Sequence, residues 1–320
     1  MPRVASEFVP SMPFKNRHFA TIYSAKLRKA PIILQHRERL QLPDNDFLDL
    51  DFSFSKAPTQ KIALLLHGLE GNAQRSYIKG QACAFLERGW DVCAMNYRGC
   101  SGEPNKKYLS YNAGKTDDLN RVVHYLLEKD RYKEIALVGF SLGGNLLLKY
   151  LGEGNALPKS IKKAVAISSP LDLKGSLYEL SQWYNWVYRT AFLYDFRMKL
   201  RLKMKQYPER MTPAILKQIT SLKAFDDLYT APAHGFKDAE DYYAQNSSLQ
   251  FLPNISIPVL ILNARNDSFL SKNCYPFSLA EKSKILYLET PKYGGHVGFH
   301  KTDRIYYSEA RTLQFLTSNS

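Results

Sequence analysis

The sequence has no hydrophobic run long enough to cross a bilayer. Its longest apolar stretches, such as residues 62–66 (IALLL) and 259–262 (VLIL), are far below the roughly 20 residues a spanning helix needs. The N-terminal stretch MPRVASEFVPSMPFKNRHF has no continuous apolar core and no small-residue cleavage site, so it does not read as a secretory leader. The expectation is a soluble, cytoplasmic protein. Cysteine is scarce as well. The four residues Cys83, Cys93, Cys100 and Cys274 contain no Cys-x-x-Cys pair, which argues against a thiolate zinc site and a disulfide scaffold and for free thiols in a reducing compartment. Internal repeats and low-complexity tracts are absent. Acidic residues are in deficit, 30 against 44 basic ones, giving a net charge of +14. That charge permits attraction to anionic lipid, nucleic acid or acidic substrates and selects none of them. No nucleic-acid recognition motif accompanies it, so no nucleic-acid partner is expected.

What is present is an alternation of short apolar runs and helical segments. Residues 32–41 and 48–54 read as strands, the second with strict period-two alternation. Strand-type runs follow at 61–68, 90–97, 134–140, 162–168, 257–264 and 284–290. Helices are expected near 73–88, 115–129, 142–152 and 304–317. This order predicts an α/β protein with a mostly parallel sheet covered on both faces, and an antiparallel edge made by the first two strands. The alternation breaks between residues 174 and 254, where no core strand is recognisable. An insertion of that length reads as a helical cap over the carboxyl edge of the sheet. Residues 1–173 and 255–320 would then form the two parts of the core.

Within this frame the stretch GFSLGG (139–144) carries a Gly-x-Ser-x-Gly pattern on Gly139, Ser141 and Gly143. The pattern alone is weak, but EIALVG before it is a strand and LGGNLLLKYLG after it is a helix. Ser141 therefore sits on the sharp strand-to-helix turn of a nucleophile elbow, near a helix N-terminus. A serine nucleophile needs a base and an acid that orients the base, in the order Ser, acid, His for this topology. His234, His296 and His300 follow Ser141. His296, in KYGGHVGF after the last strand, is the preferred base; His234 falls in the insertion, and His300 reads as a surface or supporting residue. Asp267, in NARNDSFL after the strand VLILNA, is the preferred acid, with Asp172 in SSPLDL as the alternative. The oxyanion donors are expected to be the N–H groups of Leu142 and of Leu69 in HGLEG. His67 reads as a buried histidine fixing that loop, and Arg98 as structural or pocket-lining.

Taken together, FKNRHFATIY (14–23), ERLQLPDNDFLDLDF (38–52), LLHGLEGN (65–72), NYRGCSGEPN (96–105), VGFSLGGNLLLKYLGE (138–153) and GGHVGF (294–299) resemble the α/β-hydrolases, and within them the YheT-like branch. GKTDDL (114–119) and the stretch from Asp226 through Asp267 continue the likeness. The resemblance implies a Ser–Asp–His hydrolase of carboxylic esters, with Ser141, Asp267 and His296 at the motif positions. It implies no metal or organic cofactor. The branch includes medium-chain phospholipases and enzymes that form ethyl esters by acyl transfer. One departure is Asn112, where the branch pattern leads one to expect histidine.

The expected activity is hydrolysis of a small-molecule or lipid ester, with short or medium acyl chains, through an acyl-enzyme on Ser141. Acyltransferase, thioesterase or phospholipase chemistry would use the same triad. A reading of another class is a basic lipid- or membrane-surface-binding protein with little catalysis. It rests on residues 189–210, where Leu193, Phe196, Leu200 and Met204 form a helical stripe among Arg197, Lys199, Arg201, Lys203 and Lys205. The competing reading of that stripe is packing against the protein body. Oligomeric state is not legible.

Overall fold

The computed structural model describes residues 3–154, 156–302 and 305–318. Among the described residues nine strands form one sheet: β1 (Arg3–Val4), β2 (His36–Gln41), β3 (Phe47–Ser53), β4 (Lys61–Leu66), β5 (Asp91–Asn96), β6 (Glu134–Phe140), β7 (Ile161–Ile167), β8 (Val259–Leu262) and β9 (Leu286–Glu289). Their spatial order is β1-β9-β8-β7-β6-β4-β5-β3-β2. All pairings from β5 through β4, β6, β7, β8 and β9 to β1 are parallel, and β3 is antiparallel to both β2 and β5.

The apolar runs explain this arrangement. In β4, Ile62, Leu64 and Leu66 pack into one core while Ala63 and Leu65 pack into a second core on the opposite face. Both faces are therefore covered, as a parallel sheet requires. Helices α1 (Arg17–Ile22), α2 (Ser76–Leu86), α3 (Thr116–Glu128) and α4 (Leu142–Gly152) follow the early strands. Leu119, Val122 and Leu126 of α3 and Leu147 and Leu151 of α4 enter the first core; Ile78 and Phe85 of α2 enter the second.

Between β7 and β8 the described residues form helices only: α5 (Leu173–Ser181), α6 (Trp186–Gln206), α7 (Pro213–Gln218), α8 (Leu222–Phe225), α9 (Ala231–His234) and α10 (Ala239–Asn246). α11 (Phe277–Lys282) links β8 to β9, and α12 (Tyr307–Thr317) closes the second core with Leu313 and Leu316. Residues 303 and 304, at the start of the helix expected over 304–317, lie outside the described residues.

Every residue of β3 is buried, although its sequence alternates apolar and polar side chains. Asp49 and Asp51 lie directly opposite Arg39 and Arg37 of β2, with ion pairs of 2.8 and 2.6 Å. Cross-strand partners of opposite sign let the polar face of a strand be covered. A strand absent from the sequence expectation is β1, too short to leave a periodic signal, which pairs with β9 and occupies the sheet edge. Among the described residues no helix is long and apolar enough to cross a membrane.

Candidate active site

β6 lies at the middle of the sheet, and Ser141 follows its last residue. Its backbone adopts φ +53° and ψ −121°, a conformation that side chains other than glycine rarely hold. The turn is fixed by the Ser141 N–H, which donates to Ile167 O at 2.8 Å, and by Ser141 O, which accepts from the N–H groups of Gly144 and Asn145. A side chain at Gly143 would lie 2.5 Å from Leu66 O, so only glycine lets α4 start this close to β4. Leu142 opens α4, and its N–H belongs to the first turn, which has no intrahelical acceptor.

The parallel strands end at the same sheet edge, so the loops after β4, β6, β8 and β9 converge there. Ser141 Oγ lies 2.8 Å from His296 Nε2, and His296 Nδ1 lies 2.8 Å from Asp267 Oδ2. Asp267 Oδ1 accepts the N–H of Phe269 at 2.9 Å. With both carboxylate oxygens engaged, the Nδ1–H tautomer of His296 leaves Nε2 free to accept the serine proton. The Phe269 ring packs on the imidazole, with centroids 4.3 Å apart.

The His296 loop is anchored from three directions. The N–H of His296 donates to Thr21 Oγ1 of α1, that of Gly295 to Asn266 Oδ1, and that of Val297 to Ser168 Oγ, at 2.9 to 3.0 Å. Gly295 has φ +55°, and a side chain there would lie 2.6 Å from Arg17 O. Thr21, Ser168 and Phe269 carried no sequence signal. They are ordinary residues whose role depends only on where the chain brings them.

The alternative acid, Asp172, is not brought to His296. It caps α5 by accepting the Gly175 N–H and also accepts from Ser271 and Asn273. His234 is half-buried in the helical insertion, where desolvation pushes its pKa down to about 4. His300 stacks on Phe14 with centroids 3.6 Å apart. His67 is fully buried; Nδ1 meets Gly68 O and Nε2 accepts the Tyr97 N–H. Burial pushes its pKa down to about 3, so it is neutral and serves to hold the loop after β4. Arg98 is buried among Asp118, Asp44 and Asp46 and ties the ends of β3 and β5 to α3. Asn112, the departure noted above, accepts the Gly114 N–H and lines the cavity.

That cavity has a volume of about 320 Å³, at the lower end for small-molecule sites. Ser141, His296, Leu69 and Leu142 form its floor, while Phe192, Phe196, Leu200 and Phe225 come from the insertion. The stripe of α6 predicted from sequence is thus not a free surface: Phe196 and Leu200 are buried, and Leu193 and Met204 pack beside them. Lys199 and Lys203 also turn inward to the cavity wall.

The loop after β4 is held by a cluster around Glu70. Its backbone has φ +53°, and its N–H donates to Tyr111 Oη at 3.0 Å. Tyr111 Oη donates back to Glu70 Oε1 at 2.6 Å, Arg75 donates to Glu70 O at 2.7 Å, and Lys199 of α6 donates to Glu70 Oε1 at 2.9 Å. Glu70 follows Leu69, so this network fixes the backbone beside Ser141 and links it to the insertion.

Asp226, also on the cavity wall, is half-buried, and desolvation pushes its pKa up to about 6 despite the Tyr243 hydroxyl that donates to it at 2.6 Å. A raised folded-state pKa means folding disfavours the ionised carboxylate. Stability contributed by the neutral acid is therefore full below the ordinary value of 3.8 and is lost as pH rises from there through about 6. Asp226→Asn, which keeps the acceptor oxygen for Tyr243, is expected to be more stable than wild type at pH 8, on the order of 2 kcal/mol, and to match it at about pH 3. Thermal melts across that range check this; a difference independent of pH would contradict it.

Comparison with known proteins decides the family. The pattern of the α/β-hydrolase fold matches residues 63–300. YheT of Escherichia coli is 36% identical over 300 residues, covering 92% of this chain and 87% of the relative. The chain belongs to the α/β-hydrolases, in their YheT-like branch. Phospholipase ABHD3 of Mus musculus is 27% identical over 310 residues, covering 93% of this hydrolase and 74% of the relative. The enzyme named medium-chain fatty acid ethyl ester synthase/esterase 2 of Saccharomyces cerevisiae is 28% identical over 314 residues, covering 89% and 66%. Among solved structures, the Pyrococcus furiosus esterase Pf2001 superposes with a TM-score of 0.61 at 18% identity, covering 98% of this chain and 96% of that one, a likeness of fold. The relatives of this hydrolase are thus of esterase and lipase type.

Proposed function

We propose that the protein is a serine esterase that cleaves carboxylic esters through an acyl-enzyme on Ser141, with His296 as base and Asp267 as the acid that orients it. The observation that carries this reading is the unbroken hydrogen-bonded line Ser141–His296–Asp267 on the floor of an apolar cavity. His296 Nε2 takes the proton of Ser141 as Oγ attacks the ester carbonyl. The Asp267 carboxylate stabilises the resulting imidazolium. The N–H groups of Leu69 and Leu142 receive the oxyanion, each worth about 10²–10³ in rate. The imidazolium then gives its proton to the departing alkoxide. Water attacks the acyl-enzyme with the same histidine as base, and the acid leaves.

A fluorophosphonate probe tests this directly, together with p-nitrophenyl esters of increasing acyl length. The probe is expected to label the protein once, with mass spectrometry placing the adduct on Ser141. Turnover is expected to peak at short or medium chains, in keeping with the cavity size. Protein that neither labels nor turns over any ester would overturn the reading. A second reading is favoured by the yeast relative named ethyl ester synthase/esterase: the acyl group passes to an alcohol instead of water. Ethyl ester formed in competition with free acid when ethanol is added would show that route.

Lys199 is a positioning residue in this scheme, because it reaches the loop carrying Leu69 only through Glu70. Lys199→Met is expected to lower kcat about 10- to 100-fold with KM within about twofold, since it loosens an oxyanion donor without removing it. Lys199→Arg should recover most of the loss. A change in KM alone would place Lys199 on the substrate instead.

A further inference from the structure

We infer that the outward face of α6 docks on an anionic lipid bilayer surface. The stripe that packs against the body leaves the opposite side of this helix exposed. At 3.6 residues per turn, Trp186, Val187, Tyr194 and Met198 fall within about a third of its circumference, together with Arg201 and Lys205. All six are exposed. Trp183, in the turn just before α6, is 80% exposed, Trp186 59% and Tyr194 62%. Fully packed proteins seldom leave two tryptophans so open, and Trp and Tyr are the side chains that favour the boundary between water and lipid.

Charge selects the occupant. α6 carries six basic residues and one acidic residue, Asp195, which is half-buried and off this face. Among the described residues neither Arg201 nor Lys205 pairs with a carboxylate; Arg201 contacts Met198 Sδ instead. An aromatic and aliphatic centre with unpaired cations beside it, on a protein of net charge +14, matches an anionic headgroup layer. The inner face of the same helix supplies Phe192, Phe196 and Leu200 to the cavity above Ser141. Docking would set the cavity against the bilayer, and only this last consequence rests on the esterase reading.

The test is co-sedimentation with phosphatidylcholine vesicles, with and without about 30% phosphatidylglycerol, at about 50 and 500 mM salt. The wild type is expected to bind the anionic vesicles at low salt, and high salt or neutral vesicles should weaken binding about tenfold or more. Trp183→Ser with Trp186→Ser, and separately Arg201→Glu with Lys205→Glu, should each weaken binding at least about tenfold. Both double variants should keep wild-type turnover of a soluble p-nitrophenyl ester, which shows that they are folded. Ser141→Ala should bind as wild type does, so failure to dock and failure to hydrolyse are read separately. No binding to anionic vesicles at low salt overturns the inference, and so does binding that neither double variant reduces. A wild-type dimer that the tryptophan variant dissociates, with no vesicle binding, also overturns it and makes the face a subunit interface.

Discussion

Ser141→Ala is expected to abolish fluorophosphonate labelling and to lower ester turnover by about 10⁴- to 10⁶-fold while leaving the fold intact. The size follows from what the substitution removes. Without Oγ there is no acyl-enzyme, and His296 has no hydroxyl to deprotonate, so the residual rate would reflect only cavity binding and the donors proposed at Leu69 and Leu142. The fold should survive because the strained turn is held by backbone, not by the hydroxyl: Ser141 N–H to Ile167 O, and Gly144 and Asn145 N–H to Ser141 O. Alanine meets the same difficulty at φ +53° that serine meets, so little new strain is added. Kinetics on the soluble ester, with a thermal melt as control, decide the matter. Turnover above about 1% of wild type, with a melt unchanged, would remove Ser141 from the role proposed for it.

The architecture was legible because its signals are local. Fully apolar runs such as IALLL and ALVGF have to be strands buried on both faces, and the helices between them have to cover those faces. Eight of the nine strands of the sheet therefore fall where periodicity puts them. The two-residue β1 was invisible, since two residues carry no period. What covers the polar side of β3 was not legible, because the cover comes from Arg37 and Arg39 on another strand, and register across strands is not written in either segment. The same limit applies to α6. Its sequence is amphipathic in two directions at once: Phe196 and Leu200 face the body while Trp186 and Tyr194 face out. A hydrophobic stripe can be seen in sequence, but which stripe is buried depends on neighbours such as Phe225, which stacks on Phe196 at 4.0 Å. Near the serine, Ser141, Asp267 and His296 stood out because each lies just beyond a strand end in a Gly-rich or Asn-Asp turn. Glu70, Thr21 and Ser168 did not, because they touch that region through hydrogen bonds formed only in the fold.

Asp267→Asn should cost about 10⁴-fold in kcat, more than its near-isosteric shape suggests, and the reason lies in the two bonds its carboxylate accepts. Oδ1 takes the Phe269 N–H and Oδ2 takes His296 Nδ1–H. An asparagine has one acceptor oxygen for these two positions. The Phe269 N–H is backbone and has no alternative tautomer, so the oxygen goes to it and the amide nitrogen faces His296. Imidazole then answers by accepting at Nδ1 and carrying its proton on Nε2. In that tautomer Nε2 points a hydrogen at Ser141 and cannot take the serine proton. The geometry survives while the proton relay runs the wrong way. Asp172→Ala is the matched control: its carboxylate caps α5 and holds Ser271 and Asn273, so it should lose about 1 kcal/mol of stability and keep turnover within about twofold. If the large loss of turnover falls on Asp172→Ala and not on Asp267→Asn, the acid has been assigned to the wrong strand end.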